Sequence, residues 1–455
     1  MTRKFKIADY EETLNQQISL REAVPPDHLA CFIVDVIAQL DLSKIYEQYS
    51  EQGAPPYAPE ILLGLIVYGY ATGVFSSRKI EQATYEVLPF RYIAGGMHPD
   101  HDTIATFRKK FLNEIKELFI QVLLIAQQMG RLQLGNVSLD GSKIHADASK
   151  SKAVSYKRLL EIDAQLKTEV EELFVLAAAA DNTPRPEGMN VDDEIARRNK
   201  QRERLAEAKK VLEARAQARY EAEKAVYDAK MAERAAKTAE TGKKIPGPTP
   251  KPPTPGVRDK DQYNFTDPES RIMKNATNNG FDQHYNVQVV VEHDSRLIVG
   301  NGVCDHPNDK QAALPTIDTI PPELGVPPAA NLDAGYFSEG NINGLSDRGI
   351  DPYIATGRSP HNQGWQAYFL DQSDPLPDDA SIKEQMAYKL RTDVGKAMYR
   401  LRKSTVEPVI GILKEVLGFR QFSLRGLSAV GGEWNLVCLA YNLKRLHTLH
   451  IASIT

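Results

Sequence analysis

The feature that most constrains this chain is a hydrophobic period that changes and then changes back. Residues 136–147 alternate apolar and polar side chains, as a strand with one buried face does. The alternation resumes in residues 283–292, and a short apolar run follows the turn Asp294-Ser295-Arg296. Between these strands lie residues 157–176 and 191–237, rich in Ala, Glu, Arg and Lys, and then the proline-rich run 245–255. Acidic and basic residues at helical spacing predict long solvated helices, a hairpin broken near Pro184 and Pro186, and the prolines predict a stiff linker. Leu205, Leu212 and Val226 form only a thin apolar stripe. The tract therefore reads as a helical insertion at 151–260, interrupting one sheet domain made of 131–150 and 261–455.

The remainder divides by the same reasoning. Residues 1–25 read as a lead-in, and residues 26–130 as an all-α domain of about five helices. Pro59 suits a first helical turn, Ser76 and Asp102 suit N-caps, and a long helix is expected over 103–129. Its basic residues include Arg108 and Lys109. Short helices and tight turns fit a helix-turn-helix DNA-binding arrangement, and fit a plain helical bundle as well. Asp140-Gly141 predicts a hairpin turn that leaves Asp140 at a strand end. Residues 330–333 predict a second buried strand, also ending in an aspartate, Asp333. Asp309 and Ser338 suit caps of the helices that follow them. A strand is expected at 350–356, then a loop holding Arg358 and Trp365. Val406, Val409, Ile410, Leu413 and Leu417 predict a helix with one buried face, and Glu407 lies one step off it. Residues 431–447 predict a final amphipathic helix.

Composition limits the function classes. With 42% hydrophobic and 25% charged residues the chain is ordinary globular protein of two to three domains. It has no apolar run of membrane-span length and no secretory signal. Cys31, Cys304 and Cys438 are too scattered for a disulfide framework or a zinc site, which fits the cytoplasm. The net charge of −4 hides an asymmetry: residues 1–60 carry five Lys/Arg against ten Asp/Glu, and residues 391–455 carry ten against four. Basic charge around the Glu407 helix suits a polyanion; a solvated helix face is the plainer reading.

A carboxylate beside an apolar stripe needs a partner. Lys403 offers an ion pair. A metal ion offers another, because Asp140 and Asp333 end strands and Glu407 lies on a helix, so the three can meet at one end of a mixed sheet. Three carboxylates with open positions suit Mg²⁺ or Mn²⁺, and two such ions about 4 Å apart clamp the attacking and leaving oxygens of a phosphodiester. His145 with Asp147, Asp305 with His306, and His98 to Asp102 read as structural.

At these residues the sequence resembles a DDE-type transposase of a bacterial insertion sequence. The resemblance lies in Ser138-Leu139-Asp140-Gly141, Asn331-Leu332-Asp333-Ala334-Gly335-Tyr336, and the run from Ser404 through Glu407 to Lys414, with a tail at 418–443. Upstream, residues 57–108 resemble the helical N-terminal domain of the same family. The resemblance implies an α+β fold with a ribonuclease H-like catalytic core. It implies Asp140, Asp333 and Glu407 as catalytic and metal-binding residues, two Mg²⁺ (or Mn²⁺) ions, cleavage at transposon ends and strand transfer into target DNA. In the related signature Tyr-x2-Arg-x3-Glu-x6-Lys, Glu407 and Lys414 fit, Lys403 takes the arginine slot and Arg400 the tyrosine slot. Lys403, Lys414, Arg400, Arg108, Lys109 and Arg358 are the expected DNA contacts. The implied partners are double-stranded DNA, as terminal inverted repeats and target, and a second copy of the chain; no membrane is expected, and the bacterial cytoplasm, with nucleoid association on DNA, is the expected location. Two other readings compete: a catalytically inactive transposase-derived DNA-binding protein, and a scaffold that assembles partners on the 191–237 helix.

Overall fold

Proline, glycine and one long apolar run set the N-terminal helices. The computed structural model describes residues 19–50, 55–178, 190–242, 249–275, 280–357, 376 and 379–453. The helices are α1 (Leu20–Ala23), α2 (Leu29–Ile37), α3 (Ser43–Tyr46), α4 (Pro59–Thr72), α5 (Ser77–Glu86), α6 (Leu88–Ile93), α7 (His101–Lys110) and α8 (Leu112–Gln128). Pro59 opens α4, where its missing N–H costs nothing, and Gly73 ends it at φ 82°. Nearly every residue of α4 from Leu62 to Ala71 is buried, so this helix is the centre of the layer. No single helix among the described residues is long and apolar enough to cross a membrane; the bent pair α4–α5 passes on length and composition only.

Two caps differ from expectation. Asp100, not Asp102, caps α7 by accepting from the Thr103 N–H at 2.9 Å. Ser76 stands at the N-cap of α5 without a side-chain cap bond. The single helix expected over 103–129 is two, because Phe111 leaves helical geometry (φ −105°, ψ 27°) to bury its ring against Tyr49 and Phe107.

Strand β1 (Val137–His145) is continuous, and the hairpin turn expected at Asp140-Gly141 does not form. Glycine is required there for a different reason. It pairs with Gln288 on a neighbouring strand, and a Cβ at 141 would lie 2.4 Å from Gln288 Nε2. That amide is buried and already donates to Asn286 Oδ1 (3.1 Å) and Asp309 Oδ1 (3.2 Å). Gly141→Ala is therefore expected to cost about 1–3 kcal/mol in chemical denaturation. Adding Gln288→Ala should recover part of that loss; no recovery would mean the collision is not its source.

The chain forms two compact units, Met1–Asp147 with Asn275–Asn278 and His284–Thr455, and Ala148–Lys274 with Asn279–Gln283. In the second, β2 (Ala153–Ser155) is followed by α9 (Tyr156–Ala178) and α10 (Val191–Thr241), then β3 (Gln262–Asn264) and β4 (Arg271–Lys274). Strands β2 and β3 pair antiparallel. Leu159 and Leu166 of α9 pack on Leu205, Ala208 and Leu212 of α10, with Val154 and Tyr263 beneath. Val226 is exposed, so the apolar stripe ends at mid-helix. Asn190 caps α10, and Asp192, Asp193 and Glu194 complement the positive end of its dipole. The expected break near Pro184 and Pro186 lies outside the described residues.

The chain continues with β5 (Phe281–Glu292), which belongs to the first unit from His284 on, and then β6 (Ile298–Cys304), α11 (Ala313–Ile317), β7 (Ala329–Leu332), α12 (Glu339–Asp347), β8 (Asp351–Ile354), α13 (Ile382–Arg391), α14 (Asp393–Ser404), α15 (Val406–Gly411) and α16 (Leu427–Ile451). Its sheet runs β5–β1–β7–β8, and both β4 and β6 pair with β5. Strand β5 is antiparallel to both β1 and β6, whereas β1, β7 and β8 are parallel. The result is an α+β protein, helical at the N-terminus with a mixed sheet after it. Helix α16 carries fully buried Leu436 and Leu443 and packs on α8, α4 and β6, which places the main core between the N-terminal helices and one sheet face. Asp309 is not a cap, for Asn308 takes that position and the Asp309 carboxylate turns to the Asn286 and Gln288 amides.

Candidate active site

Strand period and parallel pairing bring two carboxylates together. Ser138 pairs with Asn331 and Leu139 with Leu332. The next residues on β1 and after β7 are Asp140 and Asp333. Asp140 Oδ1 accepts from the Gly141 N–H at 2.9 Å, and Asp333 Oδ1 accepts from the Gly335 N–H at 2.7 Å. Both side chains are therefore fixed by their own backbone.

The third carboxylate arrives on a helix that is broken to deliver it. Val406, Val409, Leu413 and Leu417 are buried as expected, whereas Ile410, expected on the same face, is only partly buried. Helix α14 stops at Ser404, Thr405 adopts φ −115°, ψ −83°, and α15 restarts at Val406. Pro408 explains the break: a proline has no N–H to give, and its ring collides with the carbonyl four residues back, here that of Ser404. Glu407 then sits in the first turn of α15. A π-turn over Ile412–Val416 follows and contains Lys414.

All three carboxylates surround one guanidinium, that of Arg402. Its Nη2 is 2.7 Å from Asp140 Oδ2 and 4.0 Å from Asp333 Oδ2, and its Nη1 is 3.8 Å from Glu407 Oε1. Side-chain exposure rises from 13% at Arg402 and 16% at Asp140 to 37% at Asp333 and 45% at Glu407, so the cluster is a pocket closed at one end. Burial pushes the Asp140 carboxyl above its ordinary value even though Arg402 pulls the other way. Burial also works against the Arg402 charge, and Asp140 more than restores it. One cation thus under-compensates a site with three carboxylates.

Arg402 is the residue that sequence reasoning missed. Fixed spacing assigned Lys403 to the arginine slot and Arg400 to the tyrosine slot. In the structure Arg402 Nη1 donates to Tyr399 Oη at 3.5 Å, and Lys403 and Arg400 are exposed. Tyr399 and Arg402 keep the Tyr-x2-Arg spacing, and the one additional residue before Glu407 is absorbed at Thr405. Pro408 was the available signal, because it forbids a regular helix from 400 to 410. The ion pair of Glu407 with Lys403, the plainest sequence reading, does not occur.

Lys414 Nζ donates to Ser142 Oγ (3.1 Å) and to the Lys143 carbonyl (3.5 Å), on β1 just past Asp140. Burial draws its ammonium below the ordinary lysine value. Lys109 is exposed. Arg108, expected among DNA contacts, is buried: Nη1 donates to Tyr70 Oη and to the Phe75 carbonyl, each at 3.0 Å. Its charge faces the interior and meets no outside partner. Arg358 and Trp365 lie outside the described residues. His145 packs on the His284 ring, and Asp147 pairs with Arg425 at 2.8 Å, so neither joins the cluster.

The donor set fits a hard divalent cation, which prefers carboxylate oxygens and leaves positions open for phosphate and water. Among the described residues no three His, Cys, Asp or Glu side chains stand close enough together to hold a metal ion; the Arg402 guanidinium occupies the space between the three carboxylates. If the two cations share the site, Arg402→Met should cost about 2 kcal/mol in a chelating buffer, roughly 5 °C in melting temperature, and much less with Mg²⁺ added. Equal losses in both buffers would show that they do not share it.

Two segments match transposase family models. Residues 18–110 match a family described as "Transposase domain (DUF772)", and residues 376–447, which include Arg402 and Glu407, match "Transposase DDE domain". A stretch of 68 residues is 41% identical to a protein of Burkholderia cepacia named "Putative transposase for insertion sequence element IS402". That stretch covers 13% of this chain and 32% of the relative, about a third of its length. No solved structure matches the chain significantly.

Proposed function

We propose that this chain, which carries the sequence signatures of DDE-type insertion-sequence transposases at both ends, cuts DNA at the ends of its element and joins the freed ends to target DNA. The observation that carries this reading is the gathering of Asp140, Asp333 and Glu407, from three separate chain segments, around a single cation. The sheet order supports a ribonuclease H-like core: β6, β5, β1, β7 and β8 lie side by side in that order, with β5 alone antiparallel to the rest.

Each step is an attack of an oxygen on phosphorus. In cleavage, water bonds to the phosphorus and the bond to the 3′-oxygen breaks. In joining, that 3′-hydroxyl attacks a target phosphodiester, loses its proton, and displaces another 3′-oxygen. Asp140, Asp333 and Glu407 would hold Mg²⁺ or Mn²⁺, which would supply activation of the attacking oxygen and stabilisation of the leaving one. Arg402 supplies a fixed positive charge at the closed end of the pocket and orients Asp140. Lys414 brings a desolvated ammonium beside β1, where a phosphate oxygen gives it back a counter-charge. Exposed Arg400, Lys403 and Lys109 engage the phosphate backbone, a salt-sensitive contribution. Two copies act in the cytoplasm, one on each inverted repeat.

The test combines the purified chain, Mg²⁺ and duplexes carrying the terminal repeats that flank its gene. Nicking at the repeat ends and joined products are the expected result. Absence of both with either Mg²⁺ or Mn²⁺, or undiminished activity in Asp140→Asn, overturns the proposal.

A further inference from the structure

Each of the three carboxylates is preceded, two positions back, by a small polar residue: Ser138-Leu139-Asp140, Asn331-Leu332-Asp333, Thr405-Val406-Glu407. On a strand, residues two apart share a face. Ser138 and Asn331 are register partners on β1 and β7, so they form the layer directly beneath Asp140 and Asp333. Thr405 joins that layer from above at the helix break. Ser138 and Asn331 are fully buried and Thr405 is 2% exposed.

The three are linked. Ser138 Oγ and Thr405 Oγ1 share a hydrogen bond of 3.2 Å. Ser138 Oγ lies 2.9 Å from Nε2 of the buried His293, and Asn331 Nδ2 lies 3.5 Å from the same nitrogen. Asn331 Nδ2 also donates to the Met398 carbonyl of α14 at 2.7 Å. Thr405 Oγ1 is 2.7 Å from the Leu401 carbonyl, one turn back.

A helix broken by proline is free to pivot unless something fixes the residue at the break. Only Thr405 departs from helical geometry between α14 and α15, and its hydroxyl is tied both to the helix before the break and to β1. Asn331 ties α14 to β7 in the same layer. These bonds set the height and rotation of Glu407 relative to Asp140 and Asp333. We propose that Ser138, Asn331 and Thr405, with His293 closing the network, are positioning residues that hold the three carboxylates in one geometry for a divalent cation. The proposal rests on the carboxylate triad being the metal site.

The test is Mn²⁺ titration of the full chain followed by electron paramagnetic resonance, with melting temperature measured alongside. Thr405→Val keeps the shape and removes the hydroxyl; Thr405→Ser keeps the hydroxyl. Thr405→Val is expected to weaken Mn²⁺ binding about 10-fold or more, and Thr405→Ser to restore it, as for residues that orient metal ligands. Ser138→Ala should give the same weakening and serves where Thr405→Val fails to fold. Asp333→Asn is the control and should abolish tight binding. If Asp333→Asn binds as wild type, the triad reading itself falls. If Asp333→Asn loses binding while a folded Thr405→Val or Ser138→Ala binds within about twofold of wild type, the positioning role falls and the triad stands.

Discussion

Asp333→Asn is expected to lower strand cleavage by on the order of 10³-fold while leaving the melting temperature almost unchanged. The separation follows from the geometry. The Asp333 oxygen that accepts from the Gly335 N–H survives as the asparagine oxygen, so the turn after β7 keeps its cap. The side chain is 37% exposed and 4.0 Å from Arg402, so its charge adds little to stability. What is lost is one of the anionic oxygens proposed to hold the divalent cation. Glu407→Gln should behave alike, and the double variant should be hardly worse than either, because groups acting as a unit are not additive. Gel assays on end-labelled repeats with parallel melts decide it. Retention of a tenth or more of wild-type cleavage would remove Asp333 from the reaction.

The second large effect concerns stability. Arg108→Met is expected to cost about 3–5 kcal/mol, because it strands a buried carboxylate. Glu433 is fully buried on α16. It accepts from the Tyr70 hydroxyl (3.0 Å), the Ser423 and Leu424 N–H groups (each 3.0 Å) and Ser423 Oγ. Arg108 donates to the other side of Tyr70 and supplies the compensating charge. The interior raises the Tyr70 hydroxyl well above its ordinary value, burial first and the Glu433 charge second, so it stays protonated as the bridge. Glu433→Gln combined with Arg108→Met should cost much less than the two single losses together. A melt of Arg108→Met within roughly 2 °C of wild type would show that the network carries no such charge compensation.

These two cases also show what is legible in a sequence. Short-range period was enough for the buried face of Val406 to Leu417, for the strands holding Asp140 and Asp333, and for the α+β division. It failed where the deciding neighbour is distant in sequence. Arg108 reads, like Lys109, as an exposed DNA contact because its bridge to Glu433 joins residues 363 apart, Tyr70 and Glu433. Asp140-Gly141 reads as a turn because Gln288, which excludes a side chain there, belongs to another strand. Arg402 is a different failure. Its signal is local: the fixed spacing runs across a proline that breaks the helix on which the spacing depends.

The pairing of β1 with β5 has one more consequence. His145 stands opposite His284 at the last step of that ladder. Everything between them is, in topological terms, the loop of a single hairpin. Loop-closure entropy grows only with the logarithm of loop length, so replacing it by a four-residue turn would ease closure by only about 3 kcal/mol. The register of the strand that carries Asp140 is therefore expected to depend on its pairing with β5 and little on the length of that loop. Changes in the length of that tract are expected to leave the β1–β5 ladder in place, because the chain leaves and re-enters the ladder at one adjacent pair of histidines.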